Sequence, residues 1–273
     1  MKNRIWIPLL LASVVSVAGA QALRYGFVGQ LGSYTLLAVG ILSFLSYAIA
    51  FACAGKDENA EKKAPTLRKR LCGALTVTGG FLLAVPLLRL GKMLGEKIAY
   101  AFFVPATLAE NGVSGLLLFC VLPIFLLTVA LLAFALPLFL RLGLPESTVC
   151  PLIGLLAALL FADPLKGVVY FLLGSVLAFV ACKVGRGYAV LLAAVGAFLF
   201  TLFENLPFES AAPTAAKTVG MLLLFAGFVL PMWVYGGGYL MERKPPKGIL
   251  AGSLWIAAAL LAVCGCAIVA YAG

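Results

Sequence analysis

The chain alternates between long, unbroken apolar runs and short polar breaks. A helix crossing a bilayer needs about 20 apolar residues, with a range of roughly 17 to 25. Nine stretches reach or approach that length: Ile5–Ala22, Tyr34–Cys53, Leu71–Leu88, Gly115–Leu140, Val149–Ala162, Gly167–Cys182, Tyr188–Phe203, Thr218–Tyr235 and Gly248–Tyr271. Continuous apolarity predicts helices and argues against the dyad alternation of a membrane barrel. The expected fold is all-α: a polytopic transmembrane bundle of about nine spans, one domain over residues 1–273. Ala, Leu and Gly dominate the spans, as in closely packed membrane bundles.

The polar breaks add an orientation. With the N-terminus inside, the inner segments hold Lys2, Arg4, Lys56, Lys62, Lys63, Arg68, Lys69, Arg70, Arg141, Lys183, Arg186, Arg243, Lys244 and Lys247, 14 of the 20 basic residues. The outer segments hold Arg24, Arg89, Lys92, Lys97, Lys166 and Lys217, and the ten acids divide evenly. Lys and Arg concentrate on the cytoplasmic side of membrane proteins, so this places the N-terminus in the cytoplasm and the C-terminus outside, in a plasma (inner) membrane. The formal net charge of +10 is thereby a topology signal, not the footprint of a nucleic-acid binder. Gly55–Arg70 becomes a basic cytoplasmic loop, suited to anionic lipid heads or a cytoplasmic partner. Composition agrees: 64% hydrophobic and 11% charged residues are far from a soluble domain.

The N-terminus admits two readings. Lys2 and Arg4 precede an apolar run, and Ala18-Gly19-Ala20 has the form of a signal-peptidase site. We take the run as an uncleaved first span; cleavage would leave eight spans with both termini outside.

Two regions break the pattern. Leu90–Ser114 mixes charges with Ile98, Tyr100, Phe102 and Phe103, which suggests an amphipathic segment on the outer interface. Between the two short runs of Val149–Cys182, Asp163-Pro164-Leu165-Lys166 marks a tight outer turn. Gly236-Gly237-Gly238 lacks the spacing and lysine of a phosphate loop and reads as a helix terminus at the inner interface. Trp6, Trp233, Tyr235 and Tyr239 fit an inner aromatic belt, and Tyr25, Tyr34 and Tyr271 an outer one.

Candidate chemistry is sparse. The chain has no histidine, which removes bis-histidine haem ligation, histidine zinc sites and Ser–His or Cys–His catalysis. The seven cysteines, Cys53, Cys72, Cys120, Cys150, Cys182, Cys264 and Cys266, sit in or at the ends of spans, a distribution that suggests neither a disulfide framework nor a zinc site. No ionisable group lies clearly at mid-depth, so a pump working through a central carboxylate is not expected. The remaining charges gather at the outer ends: Arg89, Lys92, Glu96 and Lys97, then Glu110 with Asn111, Asp163 with Lys166, and Glu204, Asn205 and Glu209. They are either solvated span ends or the mouth of a pocket. An apolar cavity with a carboxylate at its mouth suits a quinol or a lipid, and a buried carboxylate can accept a quinol proton. Glu110, Asn111, Arg89, Lys92, Glu96 and Glu204 are the candidate ligand-binding residues.

The order of these features resembles the membrane anchor subunits of the dimethyl sulfoxide reductase type, the DmsC/NrfD-like proteins. The similar features are the spans from Tyr34 and Leu71 with a basic loop between them, Leu88-Arg89-Leu90-Gly91, and Ala109-Glu110-Asn111-Gly112 opening the next span. This chain has arginine where the family has histidine, and Glu-Asn where it has an Asn-Glu or Arg-Glu pair. The resemblance implies a haem-free subunit that anchors an iron–sulfur or catalytic partner in the lipid bilayer, with quinone or quinol as the mobile cofactor. Two alternatives stay open: a permease or flippase for a small or lipid-like solute, and a structural subunit of a membrane complex. No nucleophile–base pair can be assembled, so independent enzymatic activity is not expected.

Overall fold

The computed structural model describes residues 2–25, 34–55, 65–95, 118, 121–161, 164–205 and 215–271. The apolar stretches read from the sequence are helical wherever they are described. The helices are α1 (Lys2–Tyr25), α2 (Tyr34–Cys53), α3 (Leu67–Gly95), α4 (Leu122–Arg141), α5 (Glu146–Phe161), α6 (Pro164–Lys183), α7 (Arg186–Asn205), α8 (Ala215–Leu240) and α9 (Ile249–Tyr271). No strand occurs among the described residues.

Among them, α1, α2, α3, α4, α8 and α9 are long and apolar enough to cross a membrane, six helices in all. The apolar parts of α5, α6 and α7 are shorter: Glu146–Leu160, Gly167–Lys183 and Arg186–Leu199. At a rise of about 1.5 Å per residue they cover roughly 21–26 Å, less than a hydrocarbon core of about 30 Å. The all-α, multi-pass membrane character therefore stands, and six full-length spanning helices occur among the described residues where about nine spans were expected.

Helix ends follow local chemistry. Thr66 caps α3 by accepting from the Lys69 backbone N–H at 3.4 Å. Pro164 opens α6, where its missing N–H costs nothing. Gly185, at φ +146°, lets α6 and α7 join through two residues. Two differences from the sequence reading stand out. The third helix does not stop at Leu88 but runs to Gly95, through the start of the region expected to lie on the interface; the rest of that region lies outside the described residues. The triple glycine is not a terminus. It lies in the last turns of α8, which continues to Leu240; of the three, Gly236 is the closely packed one.

Both α4 and α8 contain a wide, π-type segment, Val129–Ala135 and Met232–Gly237. Prolines adjoin both: Pro137 follows the first and Pro231 precedes the second.

The chain divides into two compact units. The first comprises Met1–Ala64 and Ala101–Asn205, the second Pro65–Tyr100 and Leu206–Gly273. In the first, α1 packs on α2, α2 on α4, and α5 on α6, while the π segment of α4 also meets α5, α6 and α7. Leu127, Leu132, Leu136 and Leu138 of α4 are almost wholly buried, making α4 the centre of this unit. In the second unit α8 packs against α3 and α9. Outward faces are apolar in both. On α9 alone Ile249, Leu250, Trp255, Ile256, Leu260 and Val263 are exposed, the surface expected where lipid is the solvent.

Candidate functional site

Charges cluster at one end of each unit. In the first, Glu146 at the start of α5 forms an ion pair with Lys183 at the end of α6, at 2.5 Å. Arg141, closing α4, donates to the Gly55 carbonyl at 2.8 Å and lies 5.1 Å from the centre of the Phe51 ring. In the second, Arg68 at the start of α3 stacks 4.5 Å over the Tyr239 ring near the end of α8. These pairs fix the relative directions of the helices: α5 runs against α6, α2 runs with α4, and α3 runs against α8.

The α1–α2 seam is the polar part of the first unit. Its buried stripe is Leu9, Ala12, Ser16 and Ala20 on α1, with Leu36, Val39, Gly40, Ser43, Tyr47 and Ala50 on α2, the three-to-four spacing of a single helix face. Ser13 donates to the Leu9 carbonyl at 2.9 Å and accepts from the Tyr47 hydroxyl at 3.1 Å. Antiparallel register from that pair puts Ser16 and Ser43 at one level. Both are fully buried, and neither hydroxyl makes a hydrogen bond among the described residues.

Beside this seam lies an open groove of about 210 Å³. Trp6, Leu9, Leu10 and Ser13 of α1 form one wall; Phe139 of α4 and Leu152, Leu155 and Leu156 of α5 complete it. It sits toward the end of the unit that carries Arg141 and Glu146. The volume is below the roughly 300–1,000 Å³ of sites for drug-sized ligands, so it suits a length of flexible chain better than a ring system. Its surface is almost wholly apolar: the Ser13 hydroxyl is engaged with the Leu9 carbonyl and the Tyr47 hydroxyl and presents almost nothing polar to the groove.

On the other side of α5, Cys150 and Cys182 are both buried, at 8% exposure, and their thiols hydrogen-bond to each other. No group of three or more His, Cys, Asp or Glu positioned for a metal occurs among the described residues.

The residues selected from the sequence fall elsewhere. Glu96, Glu110 and Asn111 lie outside the described residues. Arg89 and Lys92 fall on the last turns of α3, in the second unit, and Glu204 on the last turn of α7, in the first. Sequence reasoning passed over Ser13, Tyr47 and the Cys150–Cys182 pair. Isolated hydroxyls and thiols within apolar runs carry no spacing signal; only the pairing of helices brings them together. Comparison of the chain with family models, with curated proteins and with solved structures finds no match.

Proposed function

We propose that the protein is a haem-free, multi-pass membrane subunit that binds a long-tailed, hydroxyl-bearing molecule, with quinol as the ligand, and anchors a redox partner. The α1–α4–α5 groove carries this reading: its apolar walls suit the prenyl tail of such a molecule. The excess of inner Lys and Arg supports an N-inside orientation in an inner membrane. In this orientation the short helices α5, α6 and α7 complete a nine-pass topology, tilted or partly embedded. The exposed basic residues Arg243, Lys244 and Lys247 then face a cytoplasmic partner or anionic lipid heads. At the outer face Glu110 is the candidate acceptor of the quinol proton.

A second reading, a permease or flippase for a lipid-like solute, draws on the groove's place at the same end as Arg141 and Glu146, opposite the proposed outer site. One experiment separates them. Membrane vesicles containing the protein are photolabelled with a tailed quinone analogue or with a phospholipid analogue, each carrying a diazirine on its tail. Quinone labelling of α1 and α5 that falls at least fivefold in Leu155→Trp supports the first reading. Phospholipid labelling that falls in the same way, with none from the quinone, replaces it with the second. Labelling that Leu155→Trp leaves unchanged removes the groove from both. Glu110→Gln tests the outer site separately, through quinol-dependent activity at unchanged protein abundance.

A further inference from the structure

Cys150 and Cys182 are 32 positions apart in the chain and share one interhelical contact. Cys150 lies one turn beyond Glu146 on α5, and Cys182 immediately precedes Lys183 on α6, so the ion pair and the thiol pair tie together the same helix ends. Further along, α5 and α6 approach unusually closely. A Cβ on Gly154 would stand 2.5 Å from the Phe171 carbonyl oxygen, and one on Gly174 would stand 3.0 Å from the Gly154 Cα. Helices usually pack with axes about 8–10 Å apart, whereas a disulfide needs Cα atoms roughly 4.4–6.8 Å apart. Glycine-mediated approach favours that shorter span.

We propose that Cys150 and Cys182 are a redox-active dithiol that closes to a disulfide between α5 and α6, with a small organic disulfide as oxidant. One cysteine thiolate attacks a sulfur of the oxidant, forming a mixed disulfide and releasing one small thiol. The second cysteine attacks the cysteine sulfur of that mixed disulfide, forms the Cys150–Cys182 bond and releases the second small thiol. The cysteines lose two electrons, the oxidant gains them, and the two cysteine protons end on the released thiols. The closed form adds a covalent staple beside a part-exposed ion pair, a weak tie by nature, two residues before the groove-lining Leu152. This site is independent of what the groove binds.

The test uses the full chain in membrane vesicles. 2,2′-Dipyridyl disulfide, apolar enough to enter the bilayer, is added; free thiols are then alkylated, and the digested protein is analysed by mass spectrometry. The expected product is a Cys150–Cys182 linked peptide pair, lighter by two hydrogen atoms and separated again by a phosphine reductant. Cys150→Ser and Cys182→Ser should each leave the remaining cysteine carrying a stable pyridylthio group that the wild type lacks. Separate pyridylthio groups on both cysteines of the wild type overturn the proposal. So does linkage of either to another cysteine, or two unreacted thiols once the exposed Cys53 is fully modified. Because the wild type alone decides these outcomes, a variant that fails to accumulate does not block the test.

Discussion

The α1–α2 seam of the first unit and the α8–α9 seam of the second hold helices together by different means. The first uses hydroxyls: Tyr47 donates to Ser13, and Ser16 and Ser43 lie buried between the helices. The second uses absence of side chains. A Cβ on Gly265 would stand 2.4 Å from the Leu224 backbone nitrogen, and one on Gly227 would stand 2.6 Å from the Ala258 carbonyl oxygen. Ala258 and Gly265 are the buried residues of α9. In lipid no hydrophobic force draws apolar helices together, so contact area and hydrogen bonds must do so. The glycine seam concentrates its contact in a narrow strip and has no slack. The hydroxyl seam tolerates imperfection, as its two unpartnered serines show. The α3–α8 contact combines both devices. Trp233 donates its indole N–H to the Thr76 carbonyl at 3.0 Å, in space that a Cβ on Gly79 would occupy, 2.7 Å from the indole nitrogen.

Substitutions should expose the difference, and the largest effect belongs to the glycine seam. Gly265→Val forces side-chain atoms into α8 backbone and should cost stability at the upper end of roughly 1–3 kcal/mol. Denaturant titration of the detergent-solubilised protein reads this directly, and wild-type stability would break the comparison. Trp233→Phe removes one donor and leaves the Thr76 carbonyl without it, so a loss of about 1 kcal/mol is expected in the same titration. For Tyr47→Phe the expected loss is smaller, about 0.6 kcal/mol, the average for interhelical hydrogen bonds in a membrane protein. A double cycle with Ser13→Ala should return a coupling of that size. Ser43→Ala comes last. A buried hydroxyl without a partner carries its desolvation cost uncompensated, so its removal should be neutral or stabilising by up to about 1 kcal/mol. A clear loss would mean that Ser43 has a partner and that the two seams are more alike than they look.

Much of this architecture was legible in the residues. Tyr34–Cys53 reads as an apolar run and is helical throughout as α2, and the last run is helical from Ile249 to Tyr271. Such runs show because polar residues abruptly interrupt apolar ones. Phase within a run did not show. When nearly every residue is apolar, no period marks the buried face, so neither the π segments of α4 and α8 nor the α5–α6 contact could be read. Gly236 illustrates the same limit. Its neighbours suggested an end, whereas it lies where α8 nears α3, with the Cys72 carbonyl oxygen 3.2 Å from where a Cβ would be. The site was the least legible part. Charge drew attention to Glu110 and its neighbours, while the groove and the thiol pair consist of residue types that are ordinary in any apolar helix.

The wide turn at Val129–Ala135 makes α4 insensitive to a change that helices without such a turn should not survive. An ordinary helix advances about 100° per residue, so deleting one residue rotates everything beyond it away from its neighbours. A π turn already accommodates one surplus residue. Deleting a residue there should restore regular winding while Leu127 on one side and Leu138 on the other keep their bearings. The centre of the first unit thus holds a spare position, a place where the chain can change length without changing aim.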